Sequence, residues 1–164
     1  MGQITRMLTL VDGTIERDFL GCALKIAFAT SDQHHIDQHF GTCESLAIFM
    51  VTGEQVHFHQ SIAFEKAEKD GAEGKLQVRI DALEGCAAVY CRAVGAAAIA
   101  QIRQIGVQPI KTADGMPIKQ QLNQLQEDLK NEPPLWMVRA LETVKGIRGD
   151  AQRFDEMENE GWNE

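Results

Sequence analysis

The sequence predicts a mixed α/β domain, in which three strand-type segments come first and helix- and strand-type segments then alternate. Two observations carry this. Apolar runs and period-two alternation between Leu24 and Ile62 give three strands, the last two joined by a short turn. From Leu76 onward, apolar residues at helical spacing alternate with short continuous apolar runs. That order implies one sheet holding antiparallel and parallel strands, with helices packed on its faces.

Each element has its own signal. Residues 1–22 show no sustained period and read as an arm. Leu24–Thr30 reads as a buried strand, and Ser31 to Glu44 as a polar loop. Leu46–Val51 and the alternating Val56–Ile62, joined through Thr52-Gly53, make an antiparallel hairpin. Leu76, Ile80 and Leu83 mark one face of a helix, which Gly85 ends. Cys86–Cys91 is a short apolar run, as expected of a strand buried on both faces. Gly95 opens an alanine-rich helix with Ile99, Ile102 and Ile105, closed by Gly106, and Val107–Thr112 is a further strand. Pro117 sits near the first turn of a helix lined by Ile118, Leu122, Leu125 and Leu129. Pro133-Pro134 breaks the chain before a last helix from Trp136 to Lys145. The outline is that of an RNase H-like mixed five-stranded sheet flanked by helices, with an N-terminal arm and a C-terminal helical extension. The expected division is an arm over 1–22, a domain over 23–130, and a helix with an acidic tail over 131–164.

Composition narrows the function. The chain has 164 residues, 44% of them hydrophobic, which is enough for one core. Cys22, Cys43, Cys86 and Cys91 are too scattered for a disulfide framework. No secretory signal is read in residues 1–22, and no window approaches the roughly 20 apolar residues that cross a bilayer. A reducing cytoplasm is the expected setting. The net charge of −8 argues against nucleic-acid binding, which needs a basic face. An RNase H-type nuclease needs clustered carboxylates for two metals, and the first strand carries none. No Walker loop or Gly-x-Ser-x-Gly is present, so no catalytic residues are assigned.

Three segments are distinctive: Asp37-Gln38-His39-Phe40-Gly41, Gly85-Cys86-Ala87-Ala88-Val89-Tyr90-Cys91 and Ile105-Gly106-Val107-Gln108-Pro109-Ile110-Lys111. In this order they resemble the dinitrogenase iron–molybdenum cofactor biosynthesis family, in its NifX branch. The resemblance covers roughly residues 23–130, and the ending Arg153-Phe154-Asp155 with Glu160-Gly161-Trp162 is also similar to that branch. It implies a non-catalytic carrier that binds and transfers an iron–sulfur precursor of the cofactor (of the NifB-cofactor type), or the mature cofactor. The implied partners are a NifEN-type scaffold complex and a NifB-type radical-SAM enzyme. The alternative is a chaperone or regulator that docks on assembly proteins without holding a cluster.

The candidate ligating residue is His39, because imidazole suits iron and loops at the carboxyl ends of strands are where open α/β sheets bind ligands. Phe40 joins the site through the motif. Gly41 can take a positive φ and lets a bulky ligand approach. Asp37 orients the loop or hydrogen-bonds the His39 ring. The rival reading of His39 is a turn cap. Cys91 ends its strand beside Arg92, which puts it near His39 if the first and fourth strands are parallel neighbours; it is the second expected metal ligand. Arg92, with the helix start near Gly95, would supply local positive charge for an anionic cluster. Cys43 is a weaker candidate. His34 and His35 are read as solvated, and His57 and His59 as the wet side of the hairpin. Cys86 is read as core, its side chain on the opposite face from Cys91 by strand alternation.

Overall fold

A computed structural model describes residues 22–65 and 71–145. Its strands and helices, in chain order, are β1 (Leu24–Thr30), β2 (His35–Ile36), a 3₁₀ turn (Phe40–Thr42), β3 (Ser45–Val51), β4 (Val56–Ala63), α1 (Gly71–Asp81), β5 (Ala88–Cys91), α2 (Ala96–Gln104), β6 (Gln108–Lys111), β7 (Met116–Pro117) and α3 (Ile118–Lys130). Residues 135–145 are helical and are called α4.

The main sheet runs in the order β4-β3-β1-β5-β6. β1, β5 and β6 are parallel, and β3 is antiparallel to both of its neighbours. This is the mixed five-stranded sheet expected, with the hairpin on one side and the βαβ units on the other. β1 lies at its centre because it can: six of its seven residues are buried, so it tolerates cover on both faces.

Alternation along the strands divides the core in two. One face buries Ala27, Ala29, Leu46, Ile48 and Val89 against Ile80 of α1 and Ile102 of α2. The other buries Leu24, Ile26, Phe28, Val51 and Tyr90 against Leu122 and Leu125 of α3. Phe28 stacks on Tyr90 at 5.3 Å and meets Phe49 edge-on at 5.7 Å. Met137 of α4 is buried in this second cluster, and Trp136 packs partly buried against it. Phe154 and Trp162 lie outside the described residues, as do residues 1–21 of the arm and the acidic tail.

Glycines end the first two helices as predicted. Gly85 (φ 81°) and Gly106 (φ 81°) take left-handed backbone at the turns into β5 and β6. Two features differ from expectation. β5 starts at Ala88, not Cys86; the amide of Cys86 still belongs to the preceding turn and donates to Leu83 O. Strand alternation therefore does not extend to Cys86, and Cys86 and Cys91 share the same core cluster instead of opposite faces. The loop from Ser31 to Glu44 also contains structure: β2 pairs with β7 in a two-residue ladder, and a 3₁₀ turn follows.

Candidate functional site

The parallel strands β1, β5 and β6 point their carboxyl ends at one edge of the sheet, where the segment after β1 passes. Its first half is shaped by short polar side chains. Asp32 accepts hydrogen bonds from the His34 and His35 amides, each at 2.8 Å, and lies 2.7 Å from His35 Nδ1. The His35 contact, then the two amides, hold the Asp32 carboxyl well below the usual carboxylate range. Asp37 accepts from the Ser31 amide at 2.9 Å and from the Ser31 hydroxyl. Of its two expected roles, Asp37 fills the first: it shapes the loop, and its oxygens serve Ser31 instead of the His39 ring.

The second half is tied to distant backbone. Arg92 N donates to Gln38 O at 2.9 Å, and Phe40 N to Ala93 O at 2.9 Å, so His39 and Ala93 form a parallel bridge. The parallel pairing of β1 with β5 brings these segments together. Phe40 drops its ring into the core and is fully buried. At the far end of the 3₁₀ turn, Arg79 of α1 donates to the Cys43 carbonyl from Nε at 3.1 Å and Nη2 at 2.7 Å. Arg79 is itself buried, with its guanidinium 4.6 Å over the Phe64 ring.

His39 rides on this clamped turn. It occupies the N-cap position of the 3₁₀ turn, with φ −69° and ψ 136°, yet its side chain makes no capping hydrogen bond. The capping role is thus absent, and the imidazole is exposed. Gly41 does not use a left-handed conformation, in contrast to the expectation. It does leave room: nothing lies within 4 Å of where a Cβ would stand. Arg92 is exposed, its Nε 3.5 Å from Asp114 Oδ1. Gly95 caps α2, whose first backbone bond runs from Ile99 N to Gly95 O. The amides at the start of α2 therefore lack intrahelical partners and place the positive end of the helix dipole close to the Ala93 bridge.

Cys91 lies under the turn, not on it. It is fully buried, with Sγ 3.8 Å from Ile110 O. Burial, aided by the neighbouring Cys43, pushes its thiol up to about 11. Burial likewise raises Cys43 to about 11 against the pull of Arg79. Both are protonated thiols at neutral pH. His39, Gly41 and Arg92 thus gather at one accessible edge, while Phe40, Cys43 and Cys91 form its floor. His57 and His59 are elsewhere, on β4. Burial, Lys25 and His57 lower the pKa of His59. Among the described residues, no three His, Cys, Asp or Glu side chains stand together as a metal site.

Arg79 and Asp114 escaped the sequence reading. Arg79 had a usable signal: three residues after Leu76 and one before Ile80, it falls on the apolar face of its helix. Asp114 had none, since only the tertiary fold brings its loop to Arg92.

A family model described as dinitrogenase iron-molybdenum cofactor matches residues 22–128, from the start of β1 almost to the end of α3. The chain belongs to this family. Protein NifX of Azotobacter vinelandii is 43% identical over 164 residues, covering 100% of both chains. Protein NifX of Herbaspirillum seropedicae is 35% identical over 127 residues, 77% of this chain and 87% of that one. The NifX branch expected from the three motifs is thereby established, and with it a place in iron–molybdenum cofactor biosynthesis. The solved protein PH0822 overlays with a TM-score of 0.48 at 16% identity, over 66% of this chain and 100% of its own. No helix among the described residues of this family member is long and apolar enough to cross a membrane.

Proposed function

We propose that the chain is a non-catalytic carrier that takes up an iron–sulfur precursor of the iron–molybdenum cofactor at His39 and passes it on. The observation that supports this most is the state of His39 in a member of this family: an exposed imidazole, idle as a cap, on a turn clamped from both sides. A ligand on a rigid mount needs little ordering when cargo arrives. A single imidazole also leaves the cargo most of its coordination sphere, so release to an acceptor breaks few bonds.

The surroundings fit an anionic, bulky cargo. Gly41 leaves open space beside His39. The start of α2 and Arg92 provide positive potential against the overall charge of −8. The Arg92–Asp114 pair is exposed on both sides, and such pairs contribute only about 0–1 kcal/mol, so the guanidinium can turn toward cargo. Cys91 is the reserve ligand. It can join only if the turn lifts and its proton leaves, which makes it a second, slower contact. The donor is a NifB-type radical-SAM enzyme, the acceptor a NifEN-type scaffold complex, and the compartment the cytoplasm.

The test is anaerobic loading of purified protein with the isolated precursor, comparing the native chain with His39→Ala and Cys91→Ala. His39→Ala should weaken retention at least tenfold, the loss of one metal–ligand interaction worth about 1.4 kcal/mol or more, and alter the iron electronic spectrum. Cys91→Ala should leave initial uptake unchanged. Equal affinity and identical spectra for native and His39→Ala protein would remove His39 from the site. A native chain that never takes up iron but still co-purifies with assembly proteins would replace the carrier by a docking module.

A further inference from the structure

The end of the sheet opposite His39 holds a feature that cargo binding does not use. Two adjoining cavities of about 500 Å³ and about 390 Å³ share Ala87, Gly106, Ala140 and Thr143 as lining. Together they form a groove between α4 and the amino ends of β1, β5 and β6. Its apolar surface includes Trp136, Ile105 and Leu135, and the last two are 47% and 62% exposed. Arg103 and Arg139 also line it. Both are exposed, and neither guanidinium makes a hydrogen bond or ion pair among the described residues. An apolar groove flanked by two unpaired guanidiniums stands out on a chain with a net charge of −8.

The sequence contains a segment with the complementary character. Residues 146–164 follow directly on α4, and Val144, near the end of that helix, lines the groove. These 19 residues carry six carboxylates against two arginines, with Phe154, Met157 and Trp162 set among the acids. At up to ~3.6 Å per residue the segment can reach every part of the groove. A tether this short holds it there at an effective concentration on the order of millimolar. The alternative segment, residues 1–21, enters beside Ala23 but has only three acids against two arginines. We propose that residues 146–164 dock within their own chain into this groove, with aromatic side chains against its floor and carboxylates against Arg103 and Arg139. The groove is then a receptor for acidic segments with aromatic anchors, and the chain's own tail is its resident occupant.

The test uses the full chain, ¹⁵N-labelled, with Cys22→Ser and Asn159→Cys so that a nitroxide reports from the tail. Loss of amide signal is expected at Gly106, Ala140 and Thr143 and not around His39. Charge reversal, Arg103→Glu with Arg139→Glu, should restore those signals, and so should added salt. Both substitutions are at exposed positions, so the remaining amide spectrum serves as the control for folding. Undiminished signals at the groove, loss centred elsewhere, or loss indifferent to charge reversal would each overturn the proposal. Mixing spin-labelled unenriched protein with unlabelled ¹⁵N protein identifies the remaining occupant: signal loss between molecules means a second copy fills the groove, which also overturns docking within one chain.

Discussion

Arg79→Met should destabilise the protein by about 2–3 kcal/mol and loosen the His39 turn without touching it. Three guanidinium hydrogen bonds are lost, two to Cys43 O at 3.1 and 2.7 Å and one to Lys75 O at 2.8 Å. Hydrogen bonds involving a charged partner contribute ~1.5–3 kcal/mol each, and the cation–π contact with Phe64 adds ~0.5–2 kcal/mol. Against this stands the cost of burying the charge, several kcal/mol per ion, which methionine removes while keeping the apolar stem. The Cys43 carbonyl is left buried without its donors, a penalty of ~1–3 kcal/mol that decides the sign. Urea unfolding should show a lower midpoint at unchanged slope. Arg79→Lys should fall between, because an ammonium keeps the charge but not the fork. A change within the ~0.5 kcal/mol typical of surface sites would show that Arg79 is not what fastens the turn to α1.

Two further outcomes follow from the core. With Cys22 exposed and the other three cysteines buried, a thiol reagent at pH 8 should titrate Cys22 quickly in the native protein and all four only after denaturation. Cys43, Cys86 and Cys91 each have folded values raised by burial to about 11. Unfolded thiols therefore ionise first, and stability that is intact below pH 9 should fall as pH rises toward 11, measurable as a declining urea midpoint. Phe28→Ala should cost about 3–5 kcal/mol, the range for emptying a buried aromatic site, because Phe28 is fully buried and contacts both Tyr90 and Phe49. A loss in unfolding free energy under ~1.5 kcal/mol, the size of a tolerated core swap, would mean that the second core closes around the gap.

The parts of the fold that were legible in the sequence are those with repeating local signals. The alternation of Val56–Ile62, the apolar run of Leu24–Thr30 and the spacing of Ile118, Leu122 and Leu125 each named an element that exists. β2 and β7 carry no such signal: two residues each, one of them Pro117, they are created by the ladder that joins them. The same limit applies to the site. The motif located His39, but its clamping by Ala93 and by Arg79 depends on contacts 36 to 54 positions away in the sequence, which no local pattern encodes. The face assigned to Cys86 failed for a related reason, since parity counts only within a strand and β5 begins two residues later.

The rims of the sheet have a consequence for life in a crowded cell. On one side β4 carries a bulge, where the register shifts between Ile48 and Phe49 and His59 is the supernumerary residue. On the other, Pro109 interrupts β6 with a position that has no amide hydrogen to offer. Irregular, donor-poor borders resist recruitment of strands from other molecules. Each border of the main sheet thus carries a feature that opposes pairing with a strand of another molecule.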